Sequence, residues 1–123
     1  SYDLDVIAVE VEANLQLNQL TWAEEALERA KDLDGHQQHD GLRAVAAHFQ
    51  SKSGEPAEAA KTLRLLLRVK DWSLTRCLRA RNQFWYGKAL MEAGQAKDAK
   101  TSLKSAYKKA PDSYYGQLAN RPF

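Results

Sequence analysis

The sequence predicts an all-α protein, and three observations carry that prediction. Only three prolines and six glycines interrupt the 123 residues, and the stretches between them show helical apolar spacing without alternating β-branched runs. Helix start and stop signals stand at the ends of those stretches. Small residues recur at matched offsets, with Ala23, Ala59 and Ala99 lying 36 and 40 residues apart. About three antiparallel helical hairpins are therefore expected.

Taken in order, the expected helices run from about Leu4 to Leu17, Thr21 to Asp32, Asp40 to Ser53, Pro56 to Val69, Ser73 to Ala93 and Ala96 to Ala110, with a short piece from Asp112 to Ala119. Thr21 and Glu24 read as a capping box, each side chain satisfying a backbone N–H of the other residue, which starts the second helix at Thr21. The polar segment from Asp34 to Asp40 reads as a connector between hairpins. Gly54 can take the left-handed conformation that closes a helix, and Pro56 suits the first turn of the next because its missing N–H would be unpaired there anyway. Gly94-Gln95 plays a similar part. Pro111 stops the sixth helix, and Asp112 is expected to cap the piece that follows.

The length suits one domain with one sizeable core. With 28% charged and 44% hydrophobic residues, the chain is too apolar for a disordered tail. Its longest purely aliphatic stretch, Leu65-Leu66-Leu67, falls far short of the roughly 20 apolar residues of a membrane span, so no span is expected. The sequence opens Ser1-Tyr2-Asp3 without a basic and then apolar leader, so no signal peptide is read, and the missing initiator Met points to a fragment or a processed chain. The compartment stays open: cytoplasmic, or periplasmic for a fragment.

Charge is divided along the chain. Residues 1–60 hold 4 Lys+Arg against 12 Asp+Glu, net −8, and residues 61–123 hold 14 against 4, net +10, giving +2 overall. Such a two-ended molecule is expected to choose partners, and to meet them, by charge. Its complementary halves also imply weak head-to-tail self-association.

The run Tyr86-Gly87-Lys88-Ala89-Leu90, followed by Gly94-Gln95-Ala96, Ala99, Leu103, Ala106 and Pro111, resembles one tetratricopeptide repeat. The same frame falls on Gly54, Ala59 and Leu63, and again on Leu20, Ala23, Leu27 and Ala30. The spacings exceed the family's period of roughly 34 residues, so insertions are expected at 34–40 and 70–76. In the first repeat Asn18 replaces the turn glycine, Asn14 replaces a bulky residue, and no proline ends the second helix.

This resemblance implies a single domain wound as a right-handed superhelix, with repeats at about 4–35, 40–70 and 76–111 and a capping helix at about 112–119. It implies a scaffold that binds a protein or peptide in a concave groove lined by the first helix of each hairpin. Carried over residue by residue, the groove positions fall on Ala44, His48, Ser51 and Lys52 in the second repeat and on Arg81, Phe84, Lys88 and Met91 in the third. In the first they fall on Ala8, Glu12, Leu15 and Gln16. Some relatives hold a C-terminal carboxylate with Lys and Asn at these places. Lys52, Arg81 and Lys88 suit that role, whereas Ala8 and Glu12 do not. A groove filled by the chain's own neighbouring segment or by another subunit is the alternative.

A second resemblance rests on aromatic residues. Phe84-Trp85-Tyr86-Gly87, followed by Ser113-Tyr114-Tyr115-Gly116-Gln117-Leu118-Ala119, is similar to the end of the superhelical, non-catalytic region of bacterial soluble lytic transglycosylases. It implies a structural segment of a larger cell-wall enzyme or secretion assembly. In that family the catalytic domain would follow, and this chain ends at Phe123, so transglycosylase activity is not expected of it.

Catalysis is not expected on other grounds either. No Gly-rich phosphate loop, Ser/His/Asp set or HExxH motif occurs. His36 and His39 have a spacing that suits one helical face, but only Asp34 and Asp40 accompany them, and structural zinc takes four well-placed ligands. They read as a polar loop, and no metal or other cofactor is expected. Cys77 has no second cysteine for an internal disulfide and no paired His for nucleophilic catalysis, so it reads as a packing residue. Glu24, Glu25 and Glu28 flank Ala23, Ala26, Leu27 and Ala30 and read as a solvated helix face rather than an acid–base pair.

Between Lys61 and Lys88, eight basic residues stand against one acid, Asp71. Lys61, Arg64, Arg68, Arg76 and Arg79 form the candidate basic surface, extended by Lys70 and Arg81. With Trp72, Phe84, Trp85 and Tyr86 it has the ingredients of a nucleic-acid surface. The preferred reading is a solvated basic face with aromatic core residues, because the overall charge is near neutral, and an acidic protein partner would fit the same surface.

Overall fold

The computed structural model describes residues 2–33, 39–67 and 76–121, and among them the chain forms seven helices and no strand. They are α1 (Tyr2–Gln16), α2 (Leu20–Leu33), α3 (Asp40–Lys52), α4 (Pro56–Leu67), α5 (Arg76–Glu92), α6 (Ala96–Lys109) and α7 (Tyr114–Ala119). The fold is all-α, as the spacing predicts. The ends expected at Val69 and Ser73 lie outside the described residues, as does the connector from Asp34 through Gln38.

Two compact units divide the chain, Ser1–Thr62 and Leu63–Phe123. The division nearly coincides with the charge boundary. The first unit holds 5 Lys+Arg against 12 Asp+Glu, net −7, and the second 13 against 4, net +9.

One turn geometry recurs three times. Asn18, Gly54 and Gly94 take φ values of 58°, 82° and 84°. The residue after each donates its N–H to the carbonyl five residues back: Gln19 to Asn14 at 2.8 Å, Glu55 to Gln50 at 2.8 Å and Gln95 to Leu90 at 2.9 Å. The left-handed residue itself donates to the carbonyl three back: Asn18 to Leu15 at 3.1 Å, Gly54 to Ser51 at 3.2 Å and Gly94 to Met91 at 3.1 Å. This paired arrangement satisfies carbonyls that a helix end leaves without partners. Asparagine is among the few residues besides glycine that visit this conformation, which is how Asn18 replaces a turn glycine.

The turns also set the start of the helices that follow. Gln19, Glu55 and Gln95 accept the N–H groups of Ala23, Ala59 and Ala99. Helix α2 therefore begins at Leu20, and Thr21 lies within its first turn. The capping box expected at Thr21 is corrected: the turn at Asn18 makes Gln19 the first accepting residue, two positions before the expected cap site. A similar correction applies to α7. Ser113, not Asp112, is its N-cap, accepting the Gly116 N–H at 3.0 Å and donating its hydroxyl to the Ala110 carbonyl at 2.7 Å. A capping oxygen reaches the second or third helical N–H, and Asp112 stands one residue too early.

In the first unit α1 packs on α2 and α3, and α2 packs on α3. Leu4, Ile7, Val11 and Leu15 form one face of α1 and meet Ala23, Ala26 and Ala30 of α2 with Leu42 and Val45 of α3. The alanines permit the close approach, while the larger residues of α1 fill the space between helices. A hydrogen bond from the Thr62 hydroxyl to Gln50 Oε1, at 2.8 Å, joins α4 to α3.

In the second unit α5, α6 and α7 pack on one another. Phe84, Leu103, Ala106 and Ala119 form the core, with Trp85, Tyr115 and Leu118 against it. Helices α5 and α6 approach so closely at Gly87 that a Cβ there would lie 2.8 Å from Leu103 Cγ and 3.2 Å from the Ala99 carbonyl oxygen. Ala23, Ala59 and Ala99 all have their side chains fully buried. Ala99→Leu is therefore expected to overpack the α5–α6 contact and cost about 1 to 3 kcal/mol. Thermal unfolding checks this, and an unchanged melting temperature would mean that Ala99 does not face α5.

Candidate functional site

The candidate site is the set of first-helix positions carried over from the resemblance, and each unit places its own members. On α3, Ala44 is buried, His48 and Ser51 are half-buried, and Lys52 is exposed in the last turn. His48 Nδ1 lies 3.0 Å from Glu12 Oε2 of α1. Glu12 and His48 occupy the same step of the frame on successive first helices, so two groove positions spend much of their polar capacity on each other.

A second histidine bridge lies near the other end of α1. His39 is the N-cap of α3, and its Nδ1 accepts the Leu42 N–H at 3.1 Å. The accepting nitrogen carries no proton, so the neutral ring holds its proton on Nε2, which lies 2.7 Å from Asp5 Oδ1. Asp5 and Glu12 are about two helical turns apart on α1, and together they tie α1 to α3 along one side. Both nitrogens of His39 are thus engaged. Among the described residues no group of three or more His, Cys, Asp or Glu is placed to hold a metal ion, and His36 lies outside them.

Of the first-repeat groove positions, Gln16 is exposed and Ala8 packs beside the core, but Leu15 is fully buried. Leu15 shares the inward face of α1 with Leu4, Ile7 and Val11, so it lines the core rather than a groove.

In the second unit Lys88 is exposed, Met91 is half-buried and Phe84 is buried. The Phe84 and Tyr115 rings lie 5.7 Å apart, and Trp85 meets Tyr115 edge-on at 6.1 Å. The Arg81 guanidinium sits 5.0 Å from the centre of the Trp85 ring and donates to Asn82 Oδ1 from Nη2 at 3.1 Å. Arg81 is therefore held by its neighbours. Among the eight groove residues expected in the second and third repeats, the exposed cations are Lys52 and Lys88, whereas Ala44 and Phe84 belong to the interior.

Of the candidate basic surface, Lys61 is exposed and pairs with Glu58 at 3.2 Å. Arg64 and Arg76 are exposed and Arg79 is half-buried. Arg68, Lys70 and Trp72 lie outside the described residues. Cys77 is exposed, so it is not the packing residue the sequence suggests. Glu24, Glu25 and Glu28 are exposed on α2, with Glu28 bridged to Lys31 at 2.9 Å. No helix among the described residues is long and apolar enough to cross a membrane.

No family model matches the sequence, and comparison with curated proteins and with solved structures finds no match.

Proposed function

We propose that this chain is a tetratricopeptide-like interaction module whose first helices present a basic binding face to an acidic peptide or protein. One observation carries the reading: the turns at Asn18, Gly54 and Gly94 share the same two backbone hydrogen bonds, and each is followed by a buried alanine. Hairpins of such a repeat cannot bury their apolar faces alone and pack on a neighbour. Lys52 supplies an exposed cation on α3 of the first unit and Lys88 one on α5 of the second, with Ser51 and Met91 on the same helices.

Fluorescence anisotropy with a panel of short acidic peptides tests this. Peptides that bind should lose at least tenfold in affinity, about 1.4 kcal/mol, in the Lys52→Glu, Lys88→Glu double variant, with its melting temperature unchanged. Absence of binding across the panel, or binding untouched by the double variant, would overturn the proposal. Tight binding of random single-stranded DNA with a steep salt slope would instead favour a nucleic-acid surface over 61–88.

A second reading, a structural superhelical segment of a larger cell-wall enzyme or secretion assembly, has one observation in its favour. The two aromatic stretches that resemble the lytic transglycosylase segment come together through Phe84, Trp85 and Tyr115.

A further inference from the structure

Helix α1 carries a second apolar stripe, on the side opposite its core face. Val6 and Val9 are 46% and 69% exposed, and Ala13 and Leu17 are exposed in line with them. The spacing places all four on one side of a helix.

The counterpart of this stripe on α3 indicates what such a stripe does. An advance of 36 residues, the interval between the turns at Asn18 and Gly54, carries Val6 to Leu42, Val9 to Val45 and Ala13 to Phe49. Leu42 and Val45 are only 6% and 7% exposed, and Phe49 packs against the same core. They are covered by the α1–α2 hairpin on which α3 sits. In the second unit α7 likewise packs on the preceding α5–α6 hairpin, laying Ala119 on its core. In the first unit it is this side of the later first helix, α3, that seats on the preceding hairpin. On α1 the stripe is present, and no described element covers it.

We propose that the Val6–Val9–Ala13 stripe seats on the second unit of another copy of this chain, making a head-to-tail contact. The inference uses the alignment of the hairpins and is independent of peptide binding at Lys52 and Lys88. Charge identifies the occupant. The stripe belongs to a unit of net −7, whereas the second unit is net +9. There, α6 exposes Lys97, Lys100, Lys104 and Lys108, and the adjoining α7 exposes Tyr114 as an apolar contact. Two first units brought together would repel, whereas head-to-tail docking joins opposite charges. Such a heterologous contact closes into a ring or extends into a filament. Exposed ion pairs are weak and screened by salt, so the assembly is shallow and salt-sensitive.

Sedimentation velocity of the whole chain over a range of concentrations, at low and high salt, tests the proposal. Zero-length cross-linking of mixed isotope-labelled and unlabelled copies supplies the orientation. The expected result is concentration-dependent association at low salt that recedes at high salt, with cross-links from Asp3, Asp5 or Glu10 of one copy to α6 lysines of another. The Val6→Ser, Val9→Ser variant, which changes only exposed side chains, should weaken association at least tenfold while keeping the parent's circular dichroism. Lys104→Glu with Lys108→Glu should weaken it independently. A chain that stays monomeric at high concentration and low salt overturns the proposal. Association with cross-links confined to first-unit lysines, or unaffected by either variant, overturns it as well. None of these outcomes bears on the peptide titration, so the two proposals fail separately.

Discussion

Gly116→Ala is expected to lower the melting temperature by several degrees and to lift α7 from the second unit. A Cβ at position 116 would overlap the Ala110 carbonyl oxygen and lie 2.9 Å from the Ala110 carbonyl carbon and 3.1 Å from Ser113 Oγ. These obstacles are mostly backbone. The Ala110 carbonyl is also held in place, because it accepts both the Ser113 hydroxyl at 2.7 Å and the Ser113 N–H at 3.0 Å. The chain must either carry the overlap as strain or release α7. Release would uncover Tyr115, Leu118 and Ala119 and open the core at Phe84 and Leu103. Burying one large apolar side chain contributes about 1.5 to 3 kcal/mol, so the easier route still costs about 2 kcal/mol or more. Thermal unfolding measures the loss. In a chain carrying Trp22→Phe and Trp72→Phe, Trp85 fluorescence reports the release, because Trp85 packs edge-on against Tyr115. An unchanged melting temperature and emission maximum would rule out the close approach of α7 to Ala110.

The parts of this fold legible in the sequence are those whose causes are local. The turns at Gly54 and Gly94 each close within six residues, and Asn18 shows itself as their counterpart through its offset and its tolerance of positive φ. The buried alanines at 23, 59 and 99 follow from the same offsets. The misplaced ends have local causes too, but they required a choice between two good caps. Thr21 with Glu24 has the chemistry of a capping box, yet the preceding turn makes Gln19 the first accepting residue and starts the helix at Leu20. Asp112 and Ser113 are equally good cap residues, and the reach to the Gly116 N–H selects Ser113.

The candidate site was harder to read because its determinants are distant in sequence. His39 looks like part of a polar connector until Asp5, 34 residues earlier, is placed beside its ring. Glu12 and His48, 36 residues apart, both appear as groove positions, but their pairing depends on α1 lying beside α3. The two-histidine spacing of 36 and 39 reads as a polar loop, and its described member, His39, is bound to a carboxylate of α1. The apolar residues of α1 posed a different problem. Leu4, Ile7, Val11 and Leu15 make one stripe, and Val6, Val9, Ala13 and Leu17 make another. Periodicity alone does not say which faces inward, and burial decides for the first.

Leu15→Ala follows from that decision and is expected to be among the most destabilising single truncations in the first unit. The groove frame assigns Leu15 to a binding face, where its truncation would weaken a ligand and spare the fold. The structure instead buries it fully, in a core shared with Val11, Ala23, Ala26 and Val45. The alanines of α2 are too small to fill the space left behind, and α1 is held on two sides by α2 and α3, so the site collapses only in part. Leu→Ala truncations of this kind cost about 2 to 5 kcal/mol, a large share of the roughly 5 to 15 kcal/mol that holds a typical domain together. Val9→Ala, on the opposite side of the same helix, removes methyl groups from a side chain that is 69% exposed and should change stability by no more than about 0.5 kcal/mol. Urea unfolding followed by circular dichroism, at low protein concentration and high salt to suppress association, compares the two. The expected result is a lower midpoint for Leu15→Ala at nearly constant slope and no shift for Val9→Ala. The reverse pattern would mean that α1 is rotated by half a turn, with the stripe assigned to docking serving as the core.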